Sequence, residues 1–306
     1  MQQTLNILQQ KARLYTKIRA FFDRCDTLEV DTPLLSSTTN TDVHIQSIQA
    51  RVCGSNQYLQ TSPEFAMKRL LAQGSGSIYQ ICHAFRDEEQ GRRHRAEFSM
   101  LEWYCVGFDY VELMGQVELL ITELIGKQTV FHRVRYFDAF LNFFGLDLNV
   151  ASTDDLRKVV KQHIKGVNVD QWSLNDCQDL LISQVIAKQF KGFTFVYDYP
   201  ATQASLARIK PDNSSVAERF ELFYGEMELA NGFTELTNAQ EQRVRFLQDN
   251  QRREERGIGT YPVDETFLQA LEQGMPECAG VALGLDRLLM VMLGVDDISQ
   301  VISIAD

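Results

Sequence analysis

The chain has 306 residues, 44% of them hydrophobic and 23% charged, with a formal net charge of −11. Such values are ordinary for a soluble globular protein with a sizeable core. They argue against a membrane span, which needs about 20 successive apolar residues, and against a broadly basic nucleic-acid surface.

The start, Met1-Gln2-Gln3-Thr4-Leu5-Asn6, has neither a basic nor an apolar leader segment, so no secretory signal is expected. Leu5, Leu8, Ala12, Leu14, Tyr15, Ile18, Phe21 and Phe22 fall mostly at helical spacing and predict an amphipathic helix from Leu5 to Cys25. Glu29 to Leu34 reads as a short strand ended by Pro33. Glu64 to Gln73 reads as a helix, with Ser62 as its cap and Pro63 at its first position. Ser77–Phe85 and Phe98–Val106 read as two strands of a long-loop hairpin, joined by a polar loop that holds Arg92-Arg93-His94-Arg95. From about 112 to 190 the pattern is mainly helical, with Asp154 and Asp176 near helix starts. Thr194–Tyr197 and Phe220–Phe233 predict strands, Asn238–Arg256 a charged helix, and Asp286–Leu293 a buried one. With no repeat or linker, the simplest account is one α+β domain over residues 1–306 with a mainly helical insertion at about 112–190. The six cysteines (25, 53, 82, 105, 177 and 278) form no Cys-x-x-Cys pair and read as reduced, mostly buried thiols of a cytoplasmic protein.

Three stretches carry chemistry. In Phe220 to Leu229, a two-residue loop at Tyr224-Gly225 would set Glu221 directly opposite Glu228. Facing carboxylates repel unless neutralised, and Mg²⁺ takes one or two carboxylates together with substrate phosphates. An edge hairpin with both glutamates in water is the competing reading. Downstream, Asn231, Phe233 and Glu235 alternate, so one strand face would offer an amide, a ring and a carboxylate to a ligand with an alkyl stem and an ammonium. A second hairpin at Asn231-Gly232 is the alternative for the same residues.

Arg86 stands at a strand end in Phe85-Arg86-Asp87-Glu88, where its planar fork suits phosphate. Across the loop, Phe98 can stack on a flat ring. Gly280-Val281-Ala282-Leu283-Gly284-Leu285-Asp286-Arg287 reads as strand, glycine turn and helix, with Arg287 beside helix N–H groups that favour anions. Singly, each arginine reads as a surface charge and Phe98 as core.

Together these segments resemble the catalytic core of class II aminoacyl-tRNA synthetases. Pro33 with its preceding helix is similar to motif 1, Phe85–Glu88 through Arg95–Tyr104 to motif 2, and Gly280–Arg287 to motif 3. Thr61-Ser62-Pro63-Glu64 and Glu228–Leu236 resemble the lysine subclass. Ala201–Ala207, Gly274–Cys278 and Ala282, where synthetases usually carry glycine, look closer to the paralogues that attach (R)-β-lysine to a lysine side chain of elongation factor P.

The resemblance implies an antiparallel sheet flanked by helices, a homodimer, and an ATP-dependent ligase that uses Mg²⁺ and passes through an aminoacyl adenylate. It implies that Arg86 and Arg287 are catalytic. ATP would be held by Arg86, Asp87, Glu88, Arg95, Phe98, Glu228, Leu229, Gly284 and Arg287, and Mg²⁺ by Glu221 and Glu228. Ser62, Pro63, Glu64, Tyr104, Asn231, Phe233, Glu235 and Ala282 would line the amino-acid pocket. Arg95 and Ala96 depart from the asparagine and proline the family often has there. The synthetases carry an anticodon-binding domain before this core, and none is expected here. The expected acceptor is therefore elongation factor P, with no productive tRNA binding and no membrane. A truncated synthetase paralogue charging tRNA or another small acceptor is one alternative. A catalytically inactive regulatory subunit is the other.

Overall fold

The computed structural model describes residues 2–304. The chain forms two compact units, one of Met1–Lys127 with Thr234–Asp306 and one of Gln128–Phe233.

The first unit opens with helix α1 (Gln2–Arg24), which buries Leu14, Ile18 and Phe22 as its spacing predicts. Only Leu28–Glu29 (β1) of the expected second element is a strand. A further backbone bond, from Val30 N–H to the Tyr79 carbonyl, extends its pairing, and Pro33 follows shortly after. A small antiparallel sheet that the sequence reading missed comes next, from β2 (Leu35–Ser36), β3 (Gln49–Val52) and β4 (Ser55–Leu59). Helix α2 (Glu64–Ala72) has Pro63 as its cap residue with no side-chain cap bond, so Ser62 lies one position too early for the expected capping role. Strands β5 (Ile78–Phe85) and β6 (Glu97–Val106) form the expected long-loop hairpin, and α3 (Tyr110–Ile125) follows.

In the second unit, β7 (Phe131–Arg135) interrupts the stretch read as helical, ahead of α4 (Tyr136–Phe144), α5 (Thr153–His163) and α6 (Leu174–Leu181). Ser152 and Ser173 cap α5 and α6 in reciprocal boxes with Asp155 and Asp176. Strands β8 (Phe193–Pro200), β9 (Ile209–Lys210), β10 (Asn213–Tyr224) and β11 (Met227–Thr234) complete it. Its core joins Tyr136, Phe140, Leu156, Val160, Leu181, Val196, Tyr199 and Phe223.

The chain then returns to the first unit through α7 (Ala239–Glu255), α8 (Glu265–Gly274), β12 (Cys278–Gly284) and α9 (Leu285–Leu293). Strand β12 pairs antiparallel with β6 along its whole length, from Cys278↔Val106 to Gly284↔Met100. The sheets are mainly antiparallel, with parallel pairs at β1–β5 and β7–β8. Side chains of β6 alternate between faces. Trp103 packs edge-on to Phe22 of α1, while Phe98, Met100, Glu102 and Tyr104 share the other face. Among the described residues, no helix is long and apolar enough to cross a membrane.

Candidate active site

On that second face of β5–β6–β12, three cross-strand rows build a floor: Cys82–Met100–Gly284, Gln80–Glu102–Ala282 and Ile78–Tyr104–Gly280. Cys82, Ala84, Met100, Phe98 and Ala282 pack together. The small residues leave room above the sheet. Gly280 is obligatory here, because a Cβ would come within 2.3 Å of the Tyr104 ring and 2.5 Å of Glu235 Oε1.

The residues read from the sequence as partners for phosphate and a flat ring lie at one end of this floor. Arg86 follows β5, and its guanidinium lies 5.2 Å from the centre of the Phe98 ring. Its other contacts are loose, at 3.4 Å to the Thr61 carbonyl and 3.5 Å to Glu89, so the fork is near its place without being consumed. Asp87 and Glu88 are exposed, and Glu88 has φ 62°. A left-handed glutamate at a strand end turns the chain sharply beside Arg86. Arg287 sits in the first turn of α9 and donates from Nε to the Arg93 carbonyl at 3.3 Å. Its neighbour Asp286 accepts from the Ser99 amide at 2.6 Å, which ties the start of α9 to the strand residue after Phe98. Arg95 is half-buried in the intervening loop. Gly284 is the helix cap residue of α9.

The other end is a buried charge cluster. Lys68, from α2, is fully buried, and its ammonium reaches Glu64 at 2.7 Å and Glu235 at 2.5 Å. Tyr104 donates to Glu102 Oε1 at 2.6 Å, while Glu102 Oε2 and Glu235 Oε1 accept no hydrogen bond. Burial and the neighbouring Glu64 push the Glu102 carboxyl up to about 8, against the opposing pull of Tyr104 and Lys68. Burial also raises Glu235, with Lys68 pulling the other way. Against its own burial cost, Glu235 and Glu64 hold the Lys68 ammonium above its usual range. Three carboxylates around one ammonium leave the cluster short of positive charge. Ser62 and Pro63 lie directly before Glu64. Lys68 and Glu102 belong to this charge cluster, and the sequence reading did not select them. The i,i+4 spacing of Glu64 and Lys68 was the available signal.

The second unit holds the remaining predicted residues, and there the hairpin register differs from the expectation. Tyr224 pairs with Met227, so the loop is Gly225-Glu226; Phe223 pairs with Glu228, Leu222 with Ala230, and Glu221 with Asn231. Glu221 and Glu228 are therefore not directly opposite. The cause is the loop, which lies one residue later than expected and pairs Glu228 with Phe223; beyond that pair a bulge leaves buried Leu229 as an extra residue on β11. The alternative hairpin at Asn231-Gly232 is absent, since β11 runs straight through both residues. The bulge corrects the face assignment too. Strict alternation would separate Glu228 from Asn231 and Phe233, whereas the extra residue puts Arg219, Glu221, Phe223, Glu228, Asn231 and Phe233 on one face.

On that face Glu221 accepts from Arg219 and from the Tyr199 hydroxyl, each at 2.6 Å, and Asn231 Oδ1 accepts from Arg219 Nε at 3.2 Å. Burial raises Glu221 to about 7; Arg219 opposes this and the nearby Glu228 adds to it. Excess negative charge next to a second carboxylate fits a cation. Among the described residues no group of three or more His, Cys, Asp or Glu is arranged to hold a metal. The pair alone matches the few protein ligands Mg²⁺ takes when phosphates supply the rest.

Comparison with known proteins bears out the motif reading. The profile of the family "tRNA synthetases class II (D, K and N)" matches residues 1–305. A protein of Vibrio atlanticus (strain LGP32), named elongation factor P–(R)-β-lysine ligase, is 43% identical over 97% of this chain and 95% of its own length. Proteins of the same name from Klebsiella pneumoniae (strain 342) and Vibrio cholerae serotype O1 are 42% and 43% identical, each over 97% of this chain and 94% of their own lengths. The chain belongs to the class II tRNA synthetases of the D, K and N type.

Proposed function

We propose that this protein is an ATP-dependent ligase that activates (R)-β-lysine as an adenylate and transfers it to a lysine side chain of elongation factor P. The observation that carries the reading is the buried cluster of Glu64, Glu102 and Glu235 around Lys68, on the same sheet face as Arg86 and Phe98. Such a cluster holds more carboxyl groups than cations, and a lysine isomer brings ammonium groups to it. The choice of isomer and acceptor draws on the relatives' names.

In the first step the substrate carboxylate attacks the α-phosphorus in line, the P–O bond to pyrophosphate breaks, and pyrophosphate leaves. No protein nucleophile takes part. Arg86 is oriented toward the charge that grows on the α-phosphate, and Phe98 and Arg287 hold the adenine. Asp87, Glu88, Arg95 and the main chain at Leu229 and Gly284 are assigned to the nucleotide. Ser62, Glu64, Tyr104, Glu235 and Ala282 are assigned to the amino acid, together with Asn231 and Phe233. Mg²⁺, when held by Glu221 and Glu228, supplies charge neutralisation for the phosphates. In the second step the acceptor amine attacks the mixed anhydride, an amide forms, and AMP leaves with the proton balance passed to solvent.

The acidic balance of the chain disfavours tRNA, whose binding depends on phosphate neutralisation. We read the protein as a cytoplasmic homodimer built through α1, which exposes Leu5 and Leu8. ATP–pyrophosphate exchange dependent on the amino acid tests the first step. Exchange stimulated by (R)-β-lysine agrees with the proposal, and exchange with no lysine isomer contradicts it.

A further inference from the structure

Arg253 is fully buried in α7, yet every hydrogen bond of its guanidinium ends on a neutral oxygen: Asp42 O at 2.8 Å, Ile45 O at 3.2 Å, Gly259 O at 2.9 Å and Gln46 Oε1 at 2.8 Å. The ring of Tyr261 lies under it, 4.0 Å from centroid to guanidinium carbon. The Tyr261 hydroxyl in turn donates to Gln46 Oε1 at 3.3 Å and accepts from the Ser47 amide at 3.0 Å. A buried cation without a carboxylate is costly to keep. What it achieves is to fix the 42–47 and 259–261 loops against one helix. The loop so fixed meets the end of β5. Gln46 forms a backbone bridge with Asp87, whose amide donates to the Gln46 carbonyl at 2.8 Å. Asp87 stands between Arg86 and the left-handed Glu88.

We infer that Arg253 is a positioning residue for the nucleotide end of β5, acting through Gln46 with Tyr261 as its support. The role assigned to Arg86 and Glu88 comes from the function proposed above, and the inference rests on that reading. With the strut intact, the turn at residues 86–88 is held before ATP arrives. With it loosened, ATP binding must order the turn, and the cost falls on ATP and not on the amino acid.

The test compares wild type with Tyr261→Phe, Arg253→Lys and Arg253→Gln in ATP–pyrophosphate exchange. Tyr261→Phe keeps the buried cation and loses only hydroxyl contacts, so it keeps the test open if Arg253→Gln fails to fold. The expected result is a KM for ATP raised about three- to tenfold in Tyr261→Phe, the scale of one or two lost hydrogen bonds, with KM for (R)-β-lysine within about twofold of wild type. Arg253→Lys should recover part of the loss seen in Arg253→Gln. A fall in kcat with KM for ATP unchanged, or both KM values rising together, overturns the inference, since a merely structural role lowers the folded fraction or loosens the whole site. Amide hydrogen exchange at Asp87 gives a reading independent of activity. It should quicken in Tyr261→Phe relative to the β6 amides, and unchanged protection overturns the strut. A wild-type protein without exchange activity would remove the ATP reading instead, while the amide measurement still decides the strut.

Discussion

Arg86 leaves its strand with its guanidinium only loosely engaged, next to Phe98. Removing a preorganised donor to transition-state charge costs about 2.7–4 kcal/mol, or ~10²–10³ in rate. Arg86→Ala should lower pyrophosphate exchange by that factor with an unchanged circular dichroism spectrum. Near-normal exchange in a folded variant would remove Arg86 from this role. Ala282 pairs across the sheet with Glu102, one row from the obligatory Gly280, and the proposed function assigns it to the amino-acid pocket. Ala282→Gly should shift the kcat/KM ratio toward α-lysine, by no more than the ~1–3 kcal/mol a methyl group is worth; an unchanged ratio would clear Ala282. Glu102 supplies a pH test. Burial pushes its carboxyl up to about 8, above the ordinary 4.5. The stability it contributes is full below about 4.5 and is lost as pH rises through about 8. Urea stability of the substrate-free protein should therefore decline over that window, and Glu102→Gln should flatten the decline. Equal slopes in both proteins would show that Glu102 is not the group responsible. Sequence alone made Arg86, Phe98, Glu64 and Glu235 legible because they sit in recognisable motifs. Lys68 and Glu102 stayed hidden because each reads as an ordinary helix or strand residue until burial brings the charges together.

At the scale of elements, the legible parts were those with strong local signals. The α1 periodicity, the β5–β6 hairpin, the charged helix α7 and the strand–turn–helix at Gly284 follow from spacing, charge and glycine. The two-residue β2 pairs only through tertiary contacts, so no periodicity announces it. The bulge at Leu229 was invisible for a related reason: nothing in Glu228-Leu229-Ala230 departs from a plain strand, and the extra residue is defined only by its partner strand. Yet that residue decides which side chains share a face. Inserting one residue between Leu222 and Phe223 of β10, opposite Leu229, should restore strict alternation and send Glu228 to the face opposite Glu221, Asn231 and Phe233. Mn²⁺ titration followed by electron paramagnetic resonance, in the presence of a non-hydrolysable ATP analogue, should show metal affinity in wild type and a loss of at least about tenfold, ~1.4 kcal/mol, in a folded insertion variant. Equal affinity would mean that the bulge does not organise the metal ligands.

For the whole molecule, family membership and chemistry are argued from different observations. The order of the motifs along the chain and the profile match over residues 1–305 fix the family. The excess of buried carboxylates around Lys68 argues for a substrate with ammonium groups, and the net charge of −11 argues for a protein acceptor over tRNA. The small-residue floor and the buried Arg253 strut belong to the same unit, so one compact body carries both the groups assigned to the nucleotide and the support proposed for their turn. The central claim is the transfer of (R)-β-lysine to a protein lysine. Its most direct test is intact-mass measurement of purified elongation factor P, after incubation with the enzyme, ATP, Mg²⁺, (R)-β-lysine and bulk tRNA together. The account predicts that elongation factor P gains the mass of one β-lysyl group and that tRNA stays uncharged; an unmodified elongation factor P beside charged tRNA would contradict it.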